Sequence, residues 1–333
     1  MSTLEDLLAE LPDPDEDARA AVRARADSVL RPAGALARLD EVAIWLAGWQ
    51  RTGRPSVEQV STLVFVADHG VAAAGVSAFP ADVTKAMLAA LDAGVATAAA
   101  MSRSLGGRMR AVDVGVGEPT GDIRVEAALT RPRFDACVEA GCDAVARAAS
   151  EGADLLVFGE MGIGNTTVAA AVCATLFGGD ASGWTGRGTG VDDDGLSRKV
   201  AAVEAATIRA RGLGLAPLEV LREFGGAELV AIAAASVEAR RRSIPVVLDG
   251  FVVGAAVASL HVARPGALDH CLAGHRSAEP GHGLLLERLG LDPLVHLGLR
   301  LGEGSGALVA VPMMRLAAAA VTDVATFEEW GLE

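Results

Sequence analysis

The chain has 333 residues, 51% of them hydrophobic and 22% charged, with a formal net charge of −14. That length supplies a substantial core for one large or two modest domains. The acidic balance excludes a phosphate-tracking nucleic-acid binder and a basic membrane-surface protein, and with 4% aromatic residues and no tyrosine there is no stock of rings for stacking single-stranded bases.

Cys137, Cys142, Cys173 and Cys271 are scattered, with no C-x-x-C pair. This argues against a disulfide framework or a four-cysteine zinc site and points to a reducing cytoplasm. The stretch from Met1 to Asp6 lacks the basic head and apolar run of a signal peptide. The longest apolar run, Gly250 to Leu260, is far below the roughly 18 residues of a membrane span.

The first sixty residues read as helices. Prolines and acids from Pro12 to Asp17 suit a helix start. Val22, Ala26 and Leu30 then share a face, and Leu39, Val42, Leu46 and Trp49 align on the next helix. From Ser61 the pattern alternates. Apolar runs at 63–67, 111–116, 154–158 and 244–248 predict strands. Helical stretches at 83–100, 134–150, 166–177 and 228–242 lie between them. Such alternation predicts an α/β fold with a Rossmann-like parallel sheet flanked by helices. The alanine-rich segment 313–325 reads as a last helix that joins the N-terminal ones. The expected division is a small helical domain from residues 1–60, completed by about 307–333, and an α/β domain over 61–306.

Ligands of open parallel sheets bind beyond the carboxyl ends of the strands. Those ends carry Asp68-His69-Gly70, the glycine-rich turn Gly159–Thr167, and Asp249-Gly250. Asp68, Glu160 and Asp249 are therefore expected to converge on one cleft, with orientation of loop amides as the plainer alternative for Asp68 and Asp249. The turn lacks both a Walker lysine and G-x-G-x-x-G. His69 reads as a loop-ordering residue. Gly186-Arg-Gly-Thr-Gly190 with Lys199 suits a single phosphate group, and Asp192-Asp-Asp194 suits a helix start rather than a magnesium site. His270 and His275 are five apart, which is wrong for a metal pair on a helix. Glu303 lies between Gly302 and Gly304, ahead of the last helix and after an expected strand end. On spacing alone it reads as a helix cap.

Five motifs occur in order: Ala67-Asp-His-Gly-Val71 with Gly75-Val-Ser-Ala-Phe-Pro80, Gly159-Glu-Met-Gly-Ile-Gly-Asn-Thr-Thr167, Leu248-Asp-Gly-Phe251, Gly274-His-Arg-Ser-Ala-Glu279 and Leu301-Gly-Glu-Gly-Ser-Gly306. Together they resemble nicotinate-nucleotide–dimethylbenzimidazole phosphoribosyltransferases, from about Leu30 onward. The resemblance implies nicotinate mononucleotide and 5,6-dimethylbenzimidazole as substrates, no cofactor, no metal, and a homodimer. It implies Glu303 as the catalytic base and Glu160 as the acid that stabilises a cationic ribose. Ser77, Phe79 and Pro80 are expected at the benzimidazole, Leu301 is expected to bind substrate, and Ala86 stands where the family often has glutamine. Gly162, Gly188, Thr189, Lys199 and Ser277 are expected around the nucleotide, with Asn165, Thr166 and Asp249 nearby. The enzyme alternatives are a nucleotide-dependent dehydrogenase, which lacks its fingerprint after the first strand, and a related phosphoribosyltransferase using another azole base; the non-enzyme alternative is a nucleotide-binding protein without turnover.

Overall fold

Five strands organise the computed structural model, which describes residues 3–332; Met1, Ser2 and Glu333, the outermost residues of the two terminal segments, lie outside the described residues. The strands are β1 (Val60–Ala67), β2 (Arg108–Gly115), β3 (Leu155–Met161), β4 (Val246–Leu248) and β5 (Cys271–Ala273). They form one sheet in the order β2-β1-β3-β4-β5, and every pairing is parallel. β1 is buried at all eight positions. Its β-branched and aromatic side chains suit a central strand covered on both faces. β2, at the edge, is exposed or half-buried throughout.

Alternation along β3 sorts its side chains between two layers. Leu156 and Phe158 join the core beneath the helices Asn165–Phe177, Ala227–Arg241 and Phe251–Ala263. Leu155 and Val157 face Val42, Leu46, Leu308, Val311 and Met314 on the opposite side, from the helices Arg38–Gln50 and Ser305–Thr322. The helix Ser305–Thr322 is apolar enough by composition to cross a membrane, yet here its apolar side chains complete this sheet-facing core.

All four expected strands form. β5 has no counterpart in the sequence reading, because Cys-Leu-Ala is too short to show a period and carries no β-branched residue; its pairing with β4 decides it. The expected helix over 83–100 is two helices, Val83–Asp92 and Thr97–Ser104, separated at Gly94, whose φ is +71°. The last helix starts at Ser305 rather than 313 and carries Pro312 inside it. Among the described residues no strand directly precedes Leu301. Val295 makes only an isolated bridge with His275.

The two chain ends meet. Val22, Ala26, Ala43, Ala47 and Val321 share an apolar cluster. Arg25 donates to the carbonyls of Val321 and Val324 and pairs with Glu329.

Candidate active site

A cavity of about 320 Å³ lies beyond the carboxyl ends of the central strands. β1 has β2 on one side and β3 on the other, so the chain reverses direction across the sheet here and leaves a crevice. One end is apolar, walled by Val76, Phe79, Val83, Met87, Met161 and Leu301, with Glu160 and Glu303 beside them.

Glu160 sits near the end of β3 and is almost fully buried. Burial pushes its carboxyl up to about 8, and the negative charges of Asp249 and Glu228 add to this. The amide of Asn165, at the start of the following helix, donates to Glu160 Oε2. Glu303 reaches the same spot from a loop. Its own N–H donates to the Glu160 carbonyl at 3.1 Å, and its Oε2 accepts from Ala98 N–H at 3.2 Å. Burial raises the Glu303 carboxyl above its ordinary value.

Three consecutive residues, Gly302, Glu303 and Gly304, have positive φ, +91°, +61° and +81°. A glutamate in this region is held at a steric cost of order 1–3 kcal/mol, which surrounding contacts must overcome. Those contacts are close. A methyl on Gly159 would lie 2.2 Å from Gly304 N, and one on Gly302 would lie 2.7 Å from Glu160 Oε1. Asp249 fastens the loop from below, accepting from Gly304 N–H at 3.1 Å and Ala307 N–H at 3.0 Å. His275 Nε2 stands 3.3 Å from Asp249 Oδ1.

The other end of the cavity is cationic. Lys199 projects from the helix Asp193–Ala210 and is 1% exposed. Its Nζ donates to Thr166 Oγ1 at 2.8 Å. Burial pulls the ammonium down to about 8, opposed by the charge of Glu279. Gly188, with φ +55°, brings its backbone close: a methyl there would meet Lys199 Nζ at 3.1 Å. Arg300 donates to the Gly188 carbonyl at 3.3 Å. A buried ammonium, a hydroxyl and open backbone have the chemistry to hold one phosphate group.

Most expected site residues come together. Glu160, Glu303, Ser77, Phe79, Gly162, Asn165, Thr166, Gly188, Thr189, Lys199, Ser277 and Leu301 all line the cavity. Three do not. Pro80 is exposed outside the wall. Ala86 is also exposed, because the helix Val83–Asp92 turns Val83 and Met87, four residues apart, toward the cavity instead. Asp249 lies under the floor, spent on the two loop amides.

The expected convergence of three strand-end carboxylates is also corrected. Of the three only Glu160 lines the cavity; Asp68 and Asp249 follow the plainer alternative and orient loop amides, Asp68 accepting from Gly117 N–H at 2.7 Å. Nor does Glu303 cap the last helix, whose cap is Gly304. His69 pairs with Glu228 at 2.7 Å in a fully buried contact. Asp192 caps its helix through Gly195 N–H, with Asp193 and Asp194 in the first turn. His270 packs against Trp49 and contacts the Ser236 carbonyl, away from His275 and Asp249. Val83, Met87, Arg300 and Glu279 escaped the sequence reading. The i, i+4 spacing of Val83 and Met87 is the signal that finds them.

A family model described as phosphoribosyltransferase matches residues 11–332. The nicotinate-nucleotide–dimethylbenzimidazole phosphoribosyltransferase of Novosphingobium aromaticivorans is 48% identical over 332 residues, covering 100% of this chain and 97% of the relative. This chain belongs to the nicotinate-nucleotide–dimethylbenzimidazole phosphoribosyltransferase family. The relative of the same name from Cereibacter sphaeroides (strain ATCC 17025) is 47% identical over 97% of this chain and 94% of its own length. The crystal structure of CobT from Thermus thermophilus superposes with a TM-score of 0.90 at 42% identity, covering 95% of this chain and 99% of that one. The family takes a nicotinate nucleotide and dimethylbenzimidazole as substrates. Membership sets the dehydrogenase alternative aside.

Proposed function

We propose that this phosphoribosyltransferase moves the 5-phosphoribosyl group of nicotinate mononucleotide to 5,6-dimethylbenzimidazole, giving nicotinate and α-ribazole 5′-phosphate for the cobalamin nucleotide loop. The observation that carries the reading is the pairing of two buried carboxylates, joined through Glu303 N–H and the Glu160 carbonyl, with a buried lysine lining the same cavity.

The chemistry follows from the charges. The C1′–N bond breaks and its electron pair leaves with the pyridinium nitrogen, so the departing ring becomes neutral and needs no acid. The benzimidazole forms the new bond with its in-plane lone pair. Its remaining N–H then becomes acidic, and Glu303 takes that proton. Glu160 faces the positive ribose. Burial makes ionised Glu160 costly by itself, and a cationic pyridinium nucleotide supplies the charge that favours it. Lys199, Thr166, Gly188, Thr189, Ser277 and Gly162 hold the nucleotide, while Ser77, Phe79 and Leu301 flank the flat base. Bond making and breaking on opposite faces of C1′ account for the inversion from β to α, with positioning as the main source of rate.

The same reading includes a homodimer, a cytoplasmic location and a small helical domain built from both chain ends. The segment Val83–Ser104 is apolar in composition and largely unburied, with Val95, in the turn between its two helices, 74% exposed, and this supports an association surface. The four unpaired cysteines suit a reducing compartment. The packing of Val321 against Val22 and Ala43 supports the terminal domain.

The test is a product assay with nicotinate mononucleotide and dimethylbenzimidazole. Formation of α-ribazole 5′-phosphate by the wild type, lost in Glu303→Gln, is the expected result. Tight binding of both compounds without any product would instead mark a binding protein.

A further inference from the structure

Glu279 lines the cavity and has no part in the scheme above. It is 8% exposed, and its Oε2 is buried with no hydrogen-bond partner among the described residues. Room for it is made by Gly186: a methyl there would lie 2.3 Å from Glu279 Oε2. The residue is held by its backbone, since Glu279 N–H donates to Ser277 Oγ at 3.0 Å and Ser277 N–H donates to His282 Nδ1 at 2.9 Å. A buried carboxylate oxygen without a donor is costly unless something else supplies the hydrogen bond. An ionised carboxylate is an acceptor only, so what is missing is an O–H or N–H.

The place of Glu279 says which donor. Gly186, against its carboxylate, and Gly188, against Lys199 Nζ, are two residues apart on one loop, so they are separated by no more than about 7 Å. A 5′-phosphate on Lys199 puts the ribose of the same nucleotide within that reach. The other two acids of the cavity are engaged, Glu160 by Asn165 and Glu303 by Ala98. We infer that Glu279 accepts a hydrogen bond from a ribose hydroxyl of the nucleotide and so makes the site select a ribonucleotide. The inference rests on the proposed reaction for the identity of the nucleotide, but not for the hydrogen bond.

The experiment compares nicotinate mononucleotide with its 2′-deoxy and 3′-deoxy forms in wild type and Glu279→Ala. Wild type should use at least one deoxy form with kcat/KM lower by about 10- to 100-fold, the range for a hydrogen bond to a charged group. Glu279→Ala should lose a similar factor with the ribonucleotide and discriminate among the three by less than about 2-fold. Equal losses on all three substrates, with discrimination intact, would show that Glu279 only supports the charge of Lys199 and would overturn the inference. So would a wild type indifferent to both hydroxyls. If the alanine variant does not fold, Glu279→Met keeps the length but carries no oxygen acceptor, and an unchanged discrimination ratio there also overturns it. Should the wild type not turn over nicotinate mononucleotide, the reaction proposed above fails. Calorimetric binding of ribose 5-phosphate against its deoxy forms then decides the role of Glu279 by the same ratios.

Discussion

The two ends of the cavity hold their charged groups in different ways. Glu303 is placed by main chain. Its φ is positive, its N–H is tied to Glu160, and the next amide is tied to Asp249. Lys199 is placed by a long side chain that spans the protein interior from a regular helix to Thr166. The contrast matches what the proposed reaction asks of each residue. A proton acceptor has to meet one atom of a rigid ring within hydrogen-bond distance, whereas a phosphate has several oxygens and accepts a cation from many angles. Where the chemistry is narrow the backbone is constrained, and where recognition is broad a flexible side chain suffices.

The largest effect should come from removing the proton acceptor. Glu303→Gln should lower kcat by about 10²–10⁴-fold and leave the nucleotide dissociation constant within about 2-fold, since an amide keeps the shape but takes no proton. Single-turnover kinetics with nucleotide titration checks both; a near-normal rate breaks the division between the two ends.

Lys199→Ala should do the reverse. It should weaken nucleotide binding by about 10- to 100-fold with a smaller change in kcat. The pH dependence sharpens the point. Burial lowers the Lys199 ammonium to about 8, so it is charged below that pH and neutral above it. Nucleotide affinity in the wild type should therefore fall as pH rises through about 8, and Lys199→Ala should flatten that limb. Toward acid the sign is opposite: in the proposed reaction Glu303 works when deprotonated, and its raised pKa in the free protein should move the acid-side loss of kcat/KM above the usual glutamate range.

A backbone lesion should affect the constrained end alone. Gly159→Ala forces a methyl to within 2.2 Å of Gly304 N, and destabilisation of about 1–3 kcal/mol is expected from overpacking. The rate should fall in the folded variant while phosphate binding persists. Denaturant melts and binding of ribose 5-phosphate distinguish the two. The smallest effect belongs to Ala86→Gln. At an exposed position off the cavity wall it should change stability by less than about 0.5 kcal/mol and kcat/KM for dimethylbenzimidazole by less than about 3-fold. A larger change would mean that the helix Val83–Asp92 turns in the complex.

The same contrast explains what could be read from the chain in advance. Long regular elements were legible because burial imposes a period: β1, β3 and the helices Arg131–Ser150 and Ala227–Arg241 stand within a few residues of their expected limits. The site was legible where glycine marks a backbone constraint, as around Glu160 and Glu303, and where the family motifs align. Side-chain direction was not. Nothing local in Asp68 or Asp249 says that their oxygens meet Gly117, Gly304 and Ala307 instead of a ligand, because those amides come from distant parts of the chain. β5 was invisible for the same reason: its three residues become a strand only by pairing with β4. Glu279 shows the limit well, since it draws notice only once its oxygen is seen to lack a donor among the described residues.

The clamp of Asp249 on Ala307 reaches further than the cavity. Ala307 opens the helix Ser305–Thr322, whose far turn packs Val321 against Val22 and Ala43. The loop that carries Glu303 is thus moored to the seam between the two ends of the polypeptide. A nick within either terminal helix, remote from the cavity, should therefore be felt at Glu303 as well as in folding.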